Sequence, residues 1–224
     1  MATSSSDDAR KSILARIRRA QGRGSSRPSE AELEHLQTYL EARPRGPMPP
    51  VGGDLVALFR ARAESLQSTT EAVELESAVP EALARYLDER GLPRSGCVWP
   101  ALSHLDWRGA GLQFQARAAD GDDAVGVTGA FAALAETGTV MLLTGPDTPA
   151  TVSLLPETHI AIVPASRVVS HMEQAWDMAR AACGELPRSV TFISGPSRTG
   201  DIEQQMVLGA HGPRNVHIVI VRSL

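Results

Sequence analysis

The chain has 224 residues, of which 22 are basic and 26 acidic, for a net charge of −4, and 42% of it is hydrophobic. That length suits one α/β domain with an extension rather than two full domains, and an isoelectric point near 5.9 leaves no basic excess to hold a phosphate backbone, so nucleic-acid binding is not expected. Its one lysine, Lys11, lies in a charged N-terminal stretch, which excludes a Schiff-base or P-loop lysine in the core, and its two cysteines are too few for an iron–sulfur cluster.

In chain order, Asp7 to Gln21 sets Ile13, Leu14 and Ile17 at one-sided helical spacing among Arg10, Lys11, Arg16, Arg18 and Arg19. This predicts a basic amphipathic helix capped by Ser6 or Asp7, with its apolar edge packed on the domain or on a neighbouring subunit; membrane binding is disfavoured because Trp and Phe anchors are missing. The same N-terminus has acids before its basic residues and no apolar h-region, and no run approaches the ~20 apolar residues of a membrane span. A cytoplasmic protein without a transmembrane segment is expected, with both thiols reduced. GRGSSRPSE then breaks the chain, a short helix is predicted from Ala31 to Glu41, and four prolines and three glycines between Pro44 and Gly53 mark an extended arm. The predicted division is therefore an N-terminal arm, 1–53, and an α/β domain, 54–224.

From Asp54 helices and strands alternate. A helix is expected to end near Ser65, a strand to span Ala72 to Leu75, and a helix to span Pro80 to Arg90 and close at Gly91. Gly96–Trp99 and Gly111–Ala116 read as strands, followed by buried-looking runs at Val125–Thr128, Val140–Thr144, Ile160–Val163, Val190–Ser194 and Val216–Val221, with a helix from about Ser166 to Cys183. Continuous β-branched runs separated by helices predict a largely parallel sheet covered on both faces.

Two segments carry candidate chemistry. In GVTGAFAALAETGTVMLLTG, Gly126 to Gly145, the residues before Glu136 read as an apolar helix and Thr137-Gly138 as the turn into the next strand. Glu136 is either a pocket acid or a helix-terminal group bonded to backbone amides, and Thr128 and Thr137 either orient it or serve local turns. In the second segment, Phe192 to Val221, a strand runs into Ser194-Gly195-Pro196-Ser197-Arg198-Thr199-Gly200-Asp201 and then into a helix-like stretch, Ile202 to Leu208. Ser194, Ser197, Arg198 and Thr199 fit an anion cradle at a strand's carboxyl end, with Arg198 as a fork to phosphate or carboxylate; the competing reading makes Thr199 or Asp201 an N-cap and Arg198 a surface ion pair. His211, between glycines, is a candidate acid/base or a loop histidine bonded to backbone. The spacing of Asp201, Glu203, His211 and His217 fits no metal motif, so no metal is expected. His217 reads as a histidine satisfied in the sheet, His159 and His171 as structural or surface groups, and both cysteines as small buried hydrophobes.

The strings GVTGAFAALAETGTVMLLTG, SLLPETHIAIVPASRVV and TFISGPSRTGDIEQQMVLGAHGPRNVHIVIV, with the leading SILARIRRAQGR, resemble the LUD domain of the lactate utilisation protein C (LutC) family over about residues 54 to 224 plus the first helix. The resemblance implies a three-layer α/β/α fold of the NagB/RpiA/CoA-transferase kind and a cytoplasmic role in oxidising L-lactate to pyruvate beside partner proteins that carry the iron–sulfur clusters. It brings no catalytic assignment. Longer relatives in that pathway add ferredoxin-like cysteine motifs after the LUD domain, and this chain is expected to lack that part and to bind no cofactor itself. By analogy of fold, Glu136 stands as the candidate for the carboxylates used by CoA transferases and sugar-phosphate isomerases. The expectation is thus a cluster-free accessory subunit of an L-lactate-oxidising system. The alternative is a free-standing enzyme acting on an anionic acyl or sugar-phosphate ligand through Glu136, Arg198 and His211. The sequence leaves open a small anionic ligand and a homo-oligomer.

Overall fold

The structure, a computed structural model, describes residues 3–24, 27–202 and 205–223, with the side chains of 3–5, 201, 202, 205 and 206 outside that description. The chain divides into two compact units, Met1–Pro47 and Met48–Leu224.

The first unit carries two helices, α1 (Thr3–Ala20) and α2 (Glu30–Ala42). α1 begins before the expected caps: Ser6 and Asp7 lie inside it. α2 starts at a capping box. The Glu32 amide donates to Ser29 Oγ at 3.3 Å and the Ser29 amide donates to the Glu32 carboxylate at 2.8 Å, which satisfies two helix-end donors and holds the Glu32 carboxyl below its ordinary range.

The second unit opens with α3 (Leu55–Ser65), whose first amides, at Val56 and Ala57, donate to the Asp54 carboxylate. There follow β1 (Thr69–Leu75), α4 (Val79–Arg90), β2 (Ser95–Val98), β3 (Gln113–Ala116), β4 (Val125–Gly129), β5 (Ala132–Leu134), β6 (Thr139–Leu143), β7 (Thr158–Pro164), β8 (Val168–Val169), α5 (Met172–Cys183), β9 (Val190–Ile193), β10 (Arg198–Ile202), β11 (Gln205–Leu208) and β12 (Asn215–Ser223). A six-stranded sheet in the order β1-β12-β7-β4-β2-β3 is parallel throughout. Its central strands are apolar at consecutive positions because both faces are covered: Val125, Val127, Ile160, Ala161, Val163, Ile218, Val219 and Ile220 are all buried, and α4 adds Leu83 and Leu87. This is the expected α/β class with a mainly parallel sheet.

Four local expectations change. The runs at 140–144 and 190–194 leave the parallel sheet and build a second one, β8-β5-β6-β9, in which β6 is antiparallel to both neighbours. The residues before Glu136 form strand β5 rather than a helix, because they pair with β6 and β8. The helix expected from Ser166 begins only at Met172, since Val168 and Val169 are drawn into that pairing with Ala133 and Leu134. In the stretch read as helix-like, 202–208, the described residues are strands: Ile202 ends β10 and Gln205–Leu208 form β11, antiparallel to it with Thr199 opposite Val207, so neither Thr199 nor Asp201 is an N-cap.

Candidate functional site

The chain after β5 turns through Ala135–Gly138 against the end of α3. Gly138 adopts φ +67°, and a Cβ there would meet the backbone of Arg62 and Ala63, so glycine is what lets the turn sit on the helix. Beyond β9 the second approach is similar: Gly195 has φ +78° and its missing Cβ leaves room for the Leu66 carbonyl. Arg198 donates to that same carbonyl at 2.6 Å, taking up an acceptor freed at the helix C-terminus. Between the two approaches runs a chain of hydroxyls. Thr137 Oγ1 donates to Thr139 Oγ1 at 2.8 Å, and Thr139 Oγ1 lies 2.6 Å from Ser194 Oγ.

Glu136 begins the same turn, its amide donating to the Ser170 carbonyl. Its carboxylate meets His171, with Oε2 at 3.5 Å from Nε2, and both side chains are largely covered, at 21% and 10% exposure. Oε2 itself is buried without a hydrogen bond. His171 Nε2 is also 2.7 Å from the Pro49 carbonyl, and Nδ1 is 2.6 Å from Ser170 Oγ, which donates to Gln174 Oε1 at 2.8 Å. Both ring nitrogens of His171 are thus engaged, Nε2 by the Pro49 carbonyl and Nδ1 by Ser170 Oγ, which fixes the ring opposite Glu136. Of the two sequence readings for Glu136, pocket acid or helix-terminal group, the geometry shows a third arrangement: a covered carboxylate paired with a histidine.

The structure thus brings the Thr137–Thr139–Ser194 hydroxyls and Arg198 to the two approaches on the end of α3, while Glu136, at the start of the first turn, faces His171. Ser197 is tied elsewhere. Its amide donates to the Pro213 carbonyl at 2.8 Å and its carbonyl accepts from Gly209 at 2.9 Å, which anchors the loop carrying His211. His211 is exposed, and among the described residues no hydrogen bond or ion pair joins it to Glu136. Thr199 is buried in β10, and the side chain of Asp201 on that strand lies outside the described residues, as does Glu203 entirely. Thr128 is fully buried in β4, 2.8 Å from Nε2 of His159, which is itself fully buried and pushed down to about 3 by desolvation. His159 and His171 are therefore covered groups, not surface ones. His217 is buried too, stacked on Tyr86 and bonded to Thr69, but its Nε2 is left without a partner.

Cys97 is buried, its thiol pushed up to about 12, first by desolvation and then by the Asp123 charge. Cys183 is exposed, against expectation, at the end of α5. It helps to line a cavity of about 320 Å³ with Trp99, Gly129, Phe131 and Leu143, at the carboxyl ends of β2 and β4, where open parallel sheets gather ligands. That lining holds no charged side chain to neutralise a carboxylate or phosphate. A larger cavity, about 830 Å³, lies at the amino ends of β2 and β4, with Arg108, Arg117, Asp120 and Asp123 in its wall. Sequence reasoning missed the partner of Glu136 and the Trp99–Phe131 cavity. The signal it had was the aromatic pair just after two strands, Trp99 one residue past β2 and Phe131 two residues past β4.

Comparison with known proteins places these features in a family. The model of the LUD domain matches residues 59–221. The chain belongs to the LUD-domain family. Lactate utilization protein C of Shouchella clausii is 35% identical over 185 residues, covering 75% of this chain and 79% of that protein, and the protein of the same name from Exiguobacterium sp. is 35% identical over 184 residues, covering 76% and 79%. A shorter match, 43% identical over 100 residues, links it to Lactate utilization protein C of Bacillus subtilis, covering 43% of this chain and 42% of that protein. Among solved structures, a DUF162 family protein from Deinococcus radiodurans superposes with a TM-score of 0.60 at 23% identity over 77% of this chain and 99% of that one, which is a likeness of fold. The LUD match takes in the whole cluster at the end of α3 and leaves out the helical N-terminal unit.

Proposed function

We propose that this chain is an accessory subunit of an L-lactate utilisation system, acting in the cytoplasm beside partner proteins whose iron–sulfur clusters take the electrons as L-lactate becomes pyruvate. The observation that carries this reading is the 35% identity to relatives named Lactate utilization protein C along three quarters of the chain. The chemistry of the chain's own thiols agrees with it. A cluster usually takes about four thiolates, whereas Cys97 is held in its protonated form by burial and Cys183 stands alone on the surface. No helix among the described residues is long and apolar enough to cross a membrane.

Within this role the cluster at the end of α3 is the place proposed for a small anionic ligand. Arg198 uses one guanidinium nitrogen on Leu66 and is otherwise exposed, and Thr137 and Ser194 lie beside it in the hydroxyl chain. Glu136, in the same turn as Thr137 and paired with His171, is the carboxylate proposed to have catalytic potential, and the exposed His211 is assigned no contact with it.

Deletion of the coding sequence is expected to abolish growth on L-lactate, and the tagged full-length chain is expected to co-purify with cluster-bearing proteins while showing no lactate oxidation alone. Normal growth of the deletion strain with no second copy present would overturn the reading. Thermal-shift measurements with lactate, pyruvate, phosphate and coenzyme A address the ligand. A ligand at about 100 times its dissociation constant adds ~2.7 kcal/mol, and Arg198→Ala is expected to remove that shift.

A further inference from the structure

Each of the two helices of the N-terminal unit carries an apolar stripe bordered by charge. On α1, Ile13, Leu14 and Ile17 form one stripe, exposed at 57%, 38% and 46%; on α2, Leu33, Leu36, Tyr39 and Leu40 form another, exposed at 49% to 65%. Every described side chain of both helices is exposed, so neither helix covers the other's stripe. Seven large apolar residues in two helical stripes are the pattern of a packing face, since a helix of a folded protein otherwise turns its apolar side inward.

The charges beside the stripes differ in sign. α1 carries Arg10, Lys11, Arg16, Arg18 and Arg19 against Asp7 and Asp8; α2 carries Glu30, Glu32, Glu34 and Glu41 and no lysine or arginine. At 100° per residue, Arg16 and Arg18 flank the α1 stripe on its two sides, while Glu30, Glu34 and Glu41 line one side of the α2 stripe. A basic-edged and an acidic-edged apolar face fit each other, and like faces repel.

We propose that α1 of one chain packs on α2 of a second copy, and α2 on the partner's α1, giving an isologous dimer through exchanged helices. The occupant is a second copy because each chain supplies one face of either sign, so a two-fold axis satisfies both pairs at once. Arg23, ion-paired to Glu32 at 3.5 Å, fixes the entry to α2 from the connecting segment and stays within its own chain.

The test uses the full chain and two charge reversals. One variant carries Arg16→Glu, Arg18→Glu and Arg19→Glu; the other carries Glu30→Lys, Glu34→Lys and Glu41→Lys. Sedimentation equilibrium of the wild-type chain is expected to give a dimer. Each variant alone, with two faces of one sign, is expected to dissociate with a constant raised at least about 10-fold. Their equimolar mixture is expected to regain the dimer, because every contact again joins opposite signs. Unchanged helical circular dichroism and thermal midpoint show that the variants keep their fold. A wild-type chain that stays monomeric up to about 100 µM overturns the proposal, as does a variant that dimerises alone or a mixture that stays monomeric. Binding of the monomeric wild-type chain to anionic vesicles would overturn it in favour of a lipid surface.

Discussion

At the scale of single residues, the covered polar groups divide into two kinds. Thr128 Oγ1 and His159 Nε2 bond each other in the middle of the sheet, 2.8 Å apart and both residues fully buried, while His159 Nδ1 has no partner. Thr128→Val keeps the shape and removes the partner, so His159 loses its one hydrogen bond; a loss of about 1–3 kcal/mol in urea denaturation is expected, the range for stranding a buried polar group. Glu136 and His171 are the other kind, an acid and a base joined across 35 positions at the lip of a turn. His171→Ala is expected to cost a similar ~1–3 kcal/mol, because it leaves the covered Glu136 carboxylate without its neighbour and strips the Pro49 carbonyl of its partner. Glu136→Gln tests chemistry rather than folding. If the carboxylate acts on a ligand, this variant abolishes the function scored by growth on L-lactate while His171→Ala, of similar stability cost, retains growth; an unaltered growth rate assigns Glu136 to structure alone.

At the scale of elements, the end of α3 is gripped by two turns that both need glycine. Gly138→Ala brings a Cβ onto the Arg62–Ala63 backbone at positive φ, so it is expected to lower stability by at least about 1–3 kcal/mol, read from the urea midpoint, and to disturb Thr137 and Ser194 with it. This level also shows what local sequence conveys. The parallel strands were legible because β-branched residues repeat without polar interruption where both faces are covered, as in Thr158–Pro164 and Asn215–Ser223. β6 and β9 have the same texture yet pair antiparallel in another sheet, since burial dictates composition and strand direction leaves no mark on it. Ile202, Met206 and Val207 imitate helical spacing, but Thr199 pairs across to Val207 and Ser197 binds Gly209 and Pro213 at the base, and these bonds override the local pattern. In the candidate site, Glu136 and Arg198 were visible as charged residues among turn residues. Their partners, His171 and the Leu66 carbonyl, were not: one lies 35 positions and three strands further along the chain, and the other is a backbone atom 132 positions distant.

For the whole molecule, two strand histidines make stability depend on acidity. Burial lowers His159 to about 3 and His217 to about 4, each below the ordinary value of 6.5. The unfolded chain therefore takes up protons at a pH where the folded one does not. Stability from these groups is complete above pH 6.5 and falls as pH drops from 6.5 towards 4, with a slope of up to about 1.4 kcal/mol per pH unit for each histidine. Urea midpoints measured from pH 7 to 4.5 are expected to decline, and His217→Phe to decline less steeply; equal slopes would show that other groups govern the acid limit.

The strand order has a consequence for how the protein is made. β1 pairs only with β12 in the six-stranded sheet, and β12 slots between β1 and β7 from Asn215 to Ser223. While the ribosome is still short of that segment, β1 has no neighbour and β7 presents an open edge beside it, the kind of edge through which unfinished chains associate. Closure of the sheet waits for the most distant pairing in the domain, so folding is completed late and through a long loop. A chain cut short at Arg214 would keep every residue proposed for the anion site and lose the strand that joins β1 to the rest of the sheet.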